Sequence, residues 1–108
     1  MTPTESLSIT LLLQELDGTR LLLEKAVSSK KTDLQKIRMQ VAEKIGTLER
    51  LKAELYGALS NLDYAYHQGH MPYDEYKTQM AALLKNKPLE HYVLKIDHLL
   101  QKCHAVQA

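Results

Sequence analysis

The sequence predicts an all-α protein, in which a long coiled-coil helix is followed by an antiparallel helical hairpin and preceded by an amphipathic N-terminal helix. Apolar residues recur at three- and four-residue steps through most of the 108 residues. The apolar content is aliphatic and rich in Leu, with six Tyr but no Phe or Trp. Glycine and proline punctuate the chain at Gly69 to Pro72 and at Pro88. Together these features predict one helical domain over residues 1–108.

The first predicted helix covers residues 2–29. Thr2, Pro3 and Glu5 are typical of a helix start with a capping box. An apolar stripe follows, widened by further apolar positions, which indicates contact with more than one neighbour; it comprises Ile9, Leu12, Leu16, Leu23 and Ala26, with Leu13, Leu22 and Val27 beside it. Residues 28–33 favour a break, although a short irregularity inside one very long helix is the alternative.

The second predicted helix, residues 32–68, carries a heptad repeat sustained for more than four repeats. Its a and d positions, called the heptad seam here, are Leu34, Ile37, Val41, Lys44, Leu48, Leu51, Leu55, Ala58 and Leu62. Lys44 is the polar exception: it either buries its stem and keeps its head in water, or pairs with an acidic group on a partner.

The seam is longer than the third helix, which is about half the length of the second. Its first half therefore needs cover from the first helix or from another chain. We expect the seam to be a partner interface, with hetero-oligomerisation or self-association through the coiled coil.

The hairpin joint is predicted at Tyr66, Gly69, Met71, Pro72 and Tyr76, where a glycine suits a helix end and a proline suits the next start. Helices over 72–86 and 88–105 follow, and tight turns predict that the last three helices pack antiparallel where they overlap. The tyrosines fill the core at the joint or form a binding surface. Core positions are favoured for Tyr73, Tyr76 and Tyr92, and Tyr66 is left open.

Composition and motifs argue against several function classes. The net charge is +1 and the only basic cluster, at positions 30–38, is modest, so we expect no nucleic-acid partner. The first apolar stretch contains charged residues, which excludes a signal peptide and a membrane span, so we expect no direct membrane insertion. A single cysteine, Cys103, fits a reducing compartment. We expect a cytoplasmic protein that reaches membranes only through partners.

Catalytic and metal-binding signatures are weak. His67 and His70 form an H-x-x-H pair, but Gly69 lies between them. His91 and His98 share a helical face without an evident pocket. We expect no enzyme activity, no cofactor and no metal, and Cys103 is interpreted as a small buried hydrophobe.

The segment from Leu59 to Leu84 resembles the steadiness-box and Mod(r) hairpins of ESCRT-I core subunits, and the resemblance covers roughly residues 34–103. It is carried by Gly69, the aromatic residue Tyr76 and the leucine spacing. In those subunits a coiled-coil stalk precedes the hairpin. The resemblance implies a structural subunit of a heteromeric complex in ubiquitin-dependent membrane-protein sorting, with ubiquitin recognition left to other domains.

Three function hypotheses follow. The first is a non-enzymatic structural subunit of a helical complex, with ESCRT-I-like sorting as one setting. The second is a small helical chaperone or adaptor that captures a client helix, as in a bacterial secretion system. The third is a catalytic or metal-dependent protein that uses His67, His70, His91 or His98.

Overall fold

A computed structural model describes residues 9–28 and 31–107. These residues form four helices and no strand: α1 (Ile9–Ser28), α2 (Lys31–His67), α3 (Tyr73–Leu84) and α4 (Leu89–Gln107). The predicted all-α class is confirmed. The capping residues from Thr2 to Glu5 lie outside the described residues.

Helix α2 is the element on which the other three helices pack. The ammonium of Lys44 lies 3.1 Å from the carboxylate of Glu15, so α1 runs antiparallel to the first half of α2. Helices α1 and α2 are therefore separate, antiparallel elements, which confirms a break rather than one very long helix. Helix α4 is also antiparallel to α2, and α1 and α4 contact each other to complete a three-helix bundle.

The direction of α4 follows from two contacts along α2. Lys52 pairs with Asp97 at 2.7 Å, and the Arg38 guanidinium donates to the Val106 carbonyl at 3.0 Å. Residue numbers at these contacts fall along α2 as they rise along α4, so the two helices run in opposite directions.

Helices α3 and α4 do not pack antiparallel on each other, which corrects the expectation drawn from the turns. Both run antiparallel to α2, one after the other, and they scarcely touch. Helix length explains the arrangement: α2, with 37 residues, is about 55 Å long, whereas α3 and α4 are about 18 and 28 Å. The buried Tyr92 hydroxyl donates to the Leu84 carbonyl and joins the end of α3 to the start of α4.

The core is a continuous apolar cluster between the helices. It contains Ile9, Leu12, Leu16, Leu23, Ile37, Val41, Leu48, Leu51, Leu55, Leu59, Leu84, Tyr92, Ile96, Leu99 and Cys103. The predicted stripe of α1 is confirmed, but Val27 is 88% exposed and does not widen it. Thr19 is also buried among these residues. Its hydroxyl donates to the Glu15 carbonyl at 2.7 Å, which offsets the cost of burying a polar group.

Two left-handed turns position α3. Gly69 has φ of 78°, and the His70 amide donates to the Ala65 carbonyl at 2.9 Å, which closes the end of α2. Pro72 then caps α3 in an extended conformation. The second turn places Lys85 and Asn86 at φ of 51° and 61°, a region that side chains other than glycine enter at a cost.

Candidate protein-interaction surfaces

The heptad seam is covered by the chain itself. Val41, Leu48 and Leu55 are fully buried, and Ile37 and Leu51 nearly so. Helices α1 and α4 supply the cover, so in this conformation the buried seam positions are not accessible to a partner. Seam positions outside this group are half-buried; they are Leu34, Lys44, Ala58 and Leu62.

Lys44 finds its acidic partner within the chain. Its ammonium lies 3.1 Å from the Glu15 carboxylate, and both side chains are about one-third exposed. In the structure, the polar position in the seam therefore contacts α1 of the same chain.

The hairpin joint brings three tyrosines together at one end of the molecule. Tyr66 and Tyr76 are half-buried, and their rings stack with centroids 4.8 Å apart. The Tyr76 hydroxyl donates to Asp63, and this hydrogen bond raises the pKa of Tyr76. Tyr73 is 54% exposed, so its predicted place in the core is wrong, whereas Tyr92 is buried as predicted. Met71 is half-buried, and Gly69 and Pro72 are exposed at the turn.

The candidate histidines are His67 on α2, His70 between α2 and α3, and His91 and His98 on α4. His67 bonds the Asp63 carbonyl at 2.7 Å through its ring Nδ1, and His98 lies exposed on α4. Within residues 9–28 and 31–107, no group of three or more His, Cys, Asp or Glu side chains is placed to hold a metal ion. Cys103 is buried, and burial raises the pKa of its thiol.

A shallow groove runs between α1 and α4. Its volume is about 300 Å³, and its lining is mostly apolar with a charged rim: Leu13, Leu16, Asp17, Arg20, Lys95, His98 and Leu99. Leu13 is 37% exposed and opens the groove to solvent. Arg20 on the rim is held by Asp17 and Glu24, at 2.8 and 2.6 Å.

The outer face of α2 points away from the core, and no part of residues 9–28 and 31–107 covers it. We define the outer face as the row Met39, Ala42, Gly46, Arg50, Ala53, Gly57, Ser60 and Tyr64, all exposed. Its members follow one another at steps of three or four residues, so they lie along one side of the helix. Five are small, and Arg50 near the middle is long and charged. Met39 and Tyr64, at the two ends, are large and are 66% and 65% exposed.

Packing among the described residues does not explain Gly46 and Gly57. A Cβ atom built at either position meets nothing within 4 Å. Glycine in a helix interior costs roughly 0.5–1 kcal/mol relative to alanine. These two residues thus weaken α2 without making room for any other described part of the chain.

Sequence reasoning missed the outer face because the leucines of the seam dominate the periodic signal. A second row at the same spacing was nevertheless present on the opposite side of the helix. Its signal is the recurrence of Gly and Ala at 42, 46, 53 and 57, where a solvated helix face would carry charges.

Comparison with protein-family models, curated proteins and solved structures found no significant match. None of the helices within residues 9–28 and 31–107 has the length and apolarity required to cross a membrane.

Proposed function

We propose that the chain is a non-enzymatic structural subunit of a helical protein assembly, and that the outer face of α2 is its binding surface. The observation that carries this proposal is the row of small residues, bounded by exposed Met39 and Tyr64, on a helix whose opposite side is already buried. Small residues let two helices approach closely, so that backbone and side-chain atoms of a partner helix gain contacts.

The shape of the molecule supports the same proposal. Among the described residues, helix α2 is packed on two sides by α1 and α4 over its first half but only by α3 near its end. The part near Tyr64 is thus a two-helix arm, and two helices alone cannot enclose their apolar residues. Half-buried Ala58, Leu62 and Met80 in this arm would be covered by a further helix.

ESCRT-I-like membrane-protein sorting is the setting we propose for such a subunit. Its support is the resemblance of residues 34–103 together with a long helix that ends in an aromatic hairpin joint. In that setting the arm near Tyr66 would pack among hairpins of neighbouring subunits.

Site-specific photo-crosslinking in the native cell extract tests the binding surface. A photoreactive phenylalanine replaces Tyr64 in one variant and Leu94 in a matched control, because these side chains are 65% and 67% exposed on different helices. We expect protein adducts from position 64 and none from position 94. Equal yields at both positions, or no adduct at 64, would contradict the proposal.

A client-binding adaptor is the second candidate, and the α1–α4 groove is the observation that favours it. A client helix would place apolar side chains against Leu13, Leu16 and Leu99. Replacing Leu13 by Arg should abolish capture of such a helix but leave the outer face of α2 unaffected. Photo-crosslinking from Leu13 that is lost when the groove is blocked would favour this candidate over the first.

A further inference from the structure

We propose that the groove between α1 and α4 binds an amphipathic helix that is acidic along one edge, with that edge against α4. This inference rests on the second candidate function, capture of a client helix in the groove, and states the chemistry of the client. Two independent observations carry it. One is the shape and apolar lining of the groove, and the other is the charge on its α4 rim, which the described part of the chain does not neutralise.

The groove is narrow and apolar at its most buried points. Leu16 and Leu99 line it and are buried, whereas Leu13 beside them is open to solvent. Its volume of about 300 Å³ lies at the lower end of the range for ligand sites, roughly 300–1,000 Å³. Such a space takes one or two aliphatic side chains, which an amphipathic helix presents at steps of three and four residues.

The α4 rim of the groove carries basic side chains that have no acidic partner. Lys95 and His98 line the rim, and Lys102 lies one turn further along the same side of α4. We call these three residues the basic edge. All three are exposed, and none forms an ion pair within residues 9–28 and 31–107. The nearby Asp97 does not neutralise them, because it pairs with Lys52 of α2 at 2.7 Å.

The α1 rim differs, because its cation is already neutralised. Arg20 lies 2.8 Å from Asp17 and 2.6 Å from Glu24, so one positive and two negative side chains leave a net charge of −1. The groove is therefore asymmetric, with a positive α4 rim and a weakly negative α1 rim. A bound helix that places carboxylates over the basic edge and neutral or basic side chains towards α1 complements both rims, which fixes its rotation about its own axis.

An anionic bilayer would be attracted by the same charges, but the shape of the groove favours a helix. The apolar lining lies between two helices, where Leu16 and Leu99 are buried. A flat surface reaches the rim side chains only, whereas the leucine-type side chains of a docked helix also reach the lining. Apolar contact then supplies most of the affinity, and the basic edge supplies the selectivity.

Binding of two synthetic peptides to the complete chain, followed by fluorescence anisotropy, tests the inference. Both peptides are amphipathic helices of about 20 residues with one leucine stripe, a length at which an isolated helix can form. One carries glutamate along an edge of the stripe, and its twin carries lysine at the same positions. The glutamate peptide should bind about tenfold more tightly at low ionic strength, because its carboxylates meet the basic edge. The difference should shrink at roughly 0.5 M salt, which screens exposed charges.

Charge reversal on α4 should invert the preference. Lys95→Glu combined with Lys102→Glu should bind the lysine peptide more tightly than the glutamate peptide. Lys36→Glu combined with Lys87→Glu makes the same change of charge at exposed positions outside the groove, and this matched control should keep the original preference. Leu13→Gln, which removes an apolar contact without a change of charge, should weaken both peptides by a similar factor. All of these positions are exposed, so each variant should keep the thermal unfolding temperature of the unmodified chain.

The outcomes separate this inference from the proposed functions. Equal binding of the two peptides overturns the acidic client, and the groove is retained as a binding surface only if Leu13→Gln weakens both. A preference for glutamate that persists after charge reversal on α4 places the peptide elsewhere and also overturns the inference. Binding of neither peptide overturns the inference and the client-binding function together. Adducts from position 64 test the outer face of α2 separately.

Vesicles of phosphatidylserine test the competing occupant. We expect the chain to bind the glutamate peptide and not to sediment with these vesicles. Sedimentation with the vesicles that is lost when Lys95 and Lys102 are replaced by Glu, without binding of the glutamate peptide, would assign the basic edge to an anionic bilayer and overturn the inference.

Discussion

Cys103 shows how a single buried side chain responds to its surroundings. It is the chain's one cysteine and lies fully buried on the inner side of α4. Burial disfavours the thiolate and raises the pKa of the thiol. The folded chain therefore retains the thiol proton at a pH at which the unfolded chain has lost it.

We expect the Cys103 thiol to react with a disulfide reagent only at the rate of unfolding. The protonated thiol's contribution to stability is complete below its ordinary pKa of 9.0 and is lost as the pH rises through the raised value. Thermal unfolding temperatures should fall with rising pH in this range, and less steeply for Cys103→Ala. The variant should retain part of the pH dependence, because the pKa values of Lys52 and Tyr76 are also raised in the folded chain. Rapid labelling of the folded chain at neutral pH would contradict this account.

Helix ends provide a matched pair of positions at the scale of the element. Gly69 ends α2 and Lys85 ends α3, and both have left-handed backbone angles. Glycine adopts this region freely, whereas for a residue with a Cβ atom the conformation costs roughly 1–2 kcal/mol of free energy. The two turns therefore place a glycine and a lysine in the same left-handed backbone conformation.

Substitutions in opposite directions should have opposite effects on the free energy of unfolding. We expect Gly69→Ala to destabilise the chain by about 1 kcal/mol. Lys85→Gly should stabilise it by about 0.5 kcal/mol, because the greater entropy of glycine in the unfolded chain offsets part of the relieved strain. Urea unfolding followed by circular dichroism measures both. A gain from Gly69→Ala would show that the turn at the end of α2 relaxes without strain.

The helices could be predicted from sequence because each carries its own periodic stripe and stop signal. Gly69 and Pro72, for example, locate the end of α2 and the start of α3 within a few residues. The partners of those stripes could not be predicted, since Val41, Leu48 and Leu55 suit α1, α4 or another chain equally well. Tyr73 was misplaced for a related reason: periodicity selects a helix side but does not say how much of it a neighbour covers.

At the scale of the whole molecule, the two halves of α2 differ in their surroundings. Leu48 is fully buried where α1 and α4 both pack on α2, whereas Leu62 is half-buried in the two-helix arm. The three-helix half should therefore hold most of the stability, and the arm should open locally more often.

We expect Leu48→Ala to destabilise the chain by about 2–5 kcal/mol and Leu62→Ala by clearly less, because the second site already meets solvent. Native-state hydrogen exchange should likewise be slower for amides near Leu48 than for those near Leu62. Equal losses of stability in the two variants would mean that another surface already covers the arm in solution.

The position of α2 as the common support also sets an order of assembly. Only a few residues separate α2 from α1 and from α3 along the chain, so these pairs close with little loss of chain entropy. The contact between α1 and α4 joins segments about as far apart as the chain allows. Docking of α1 beside α4 should therefore be the last and slowest step of folding. During synthesis on the ribosome, the core of the chain would close only after α4 has been made.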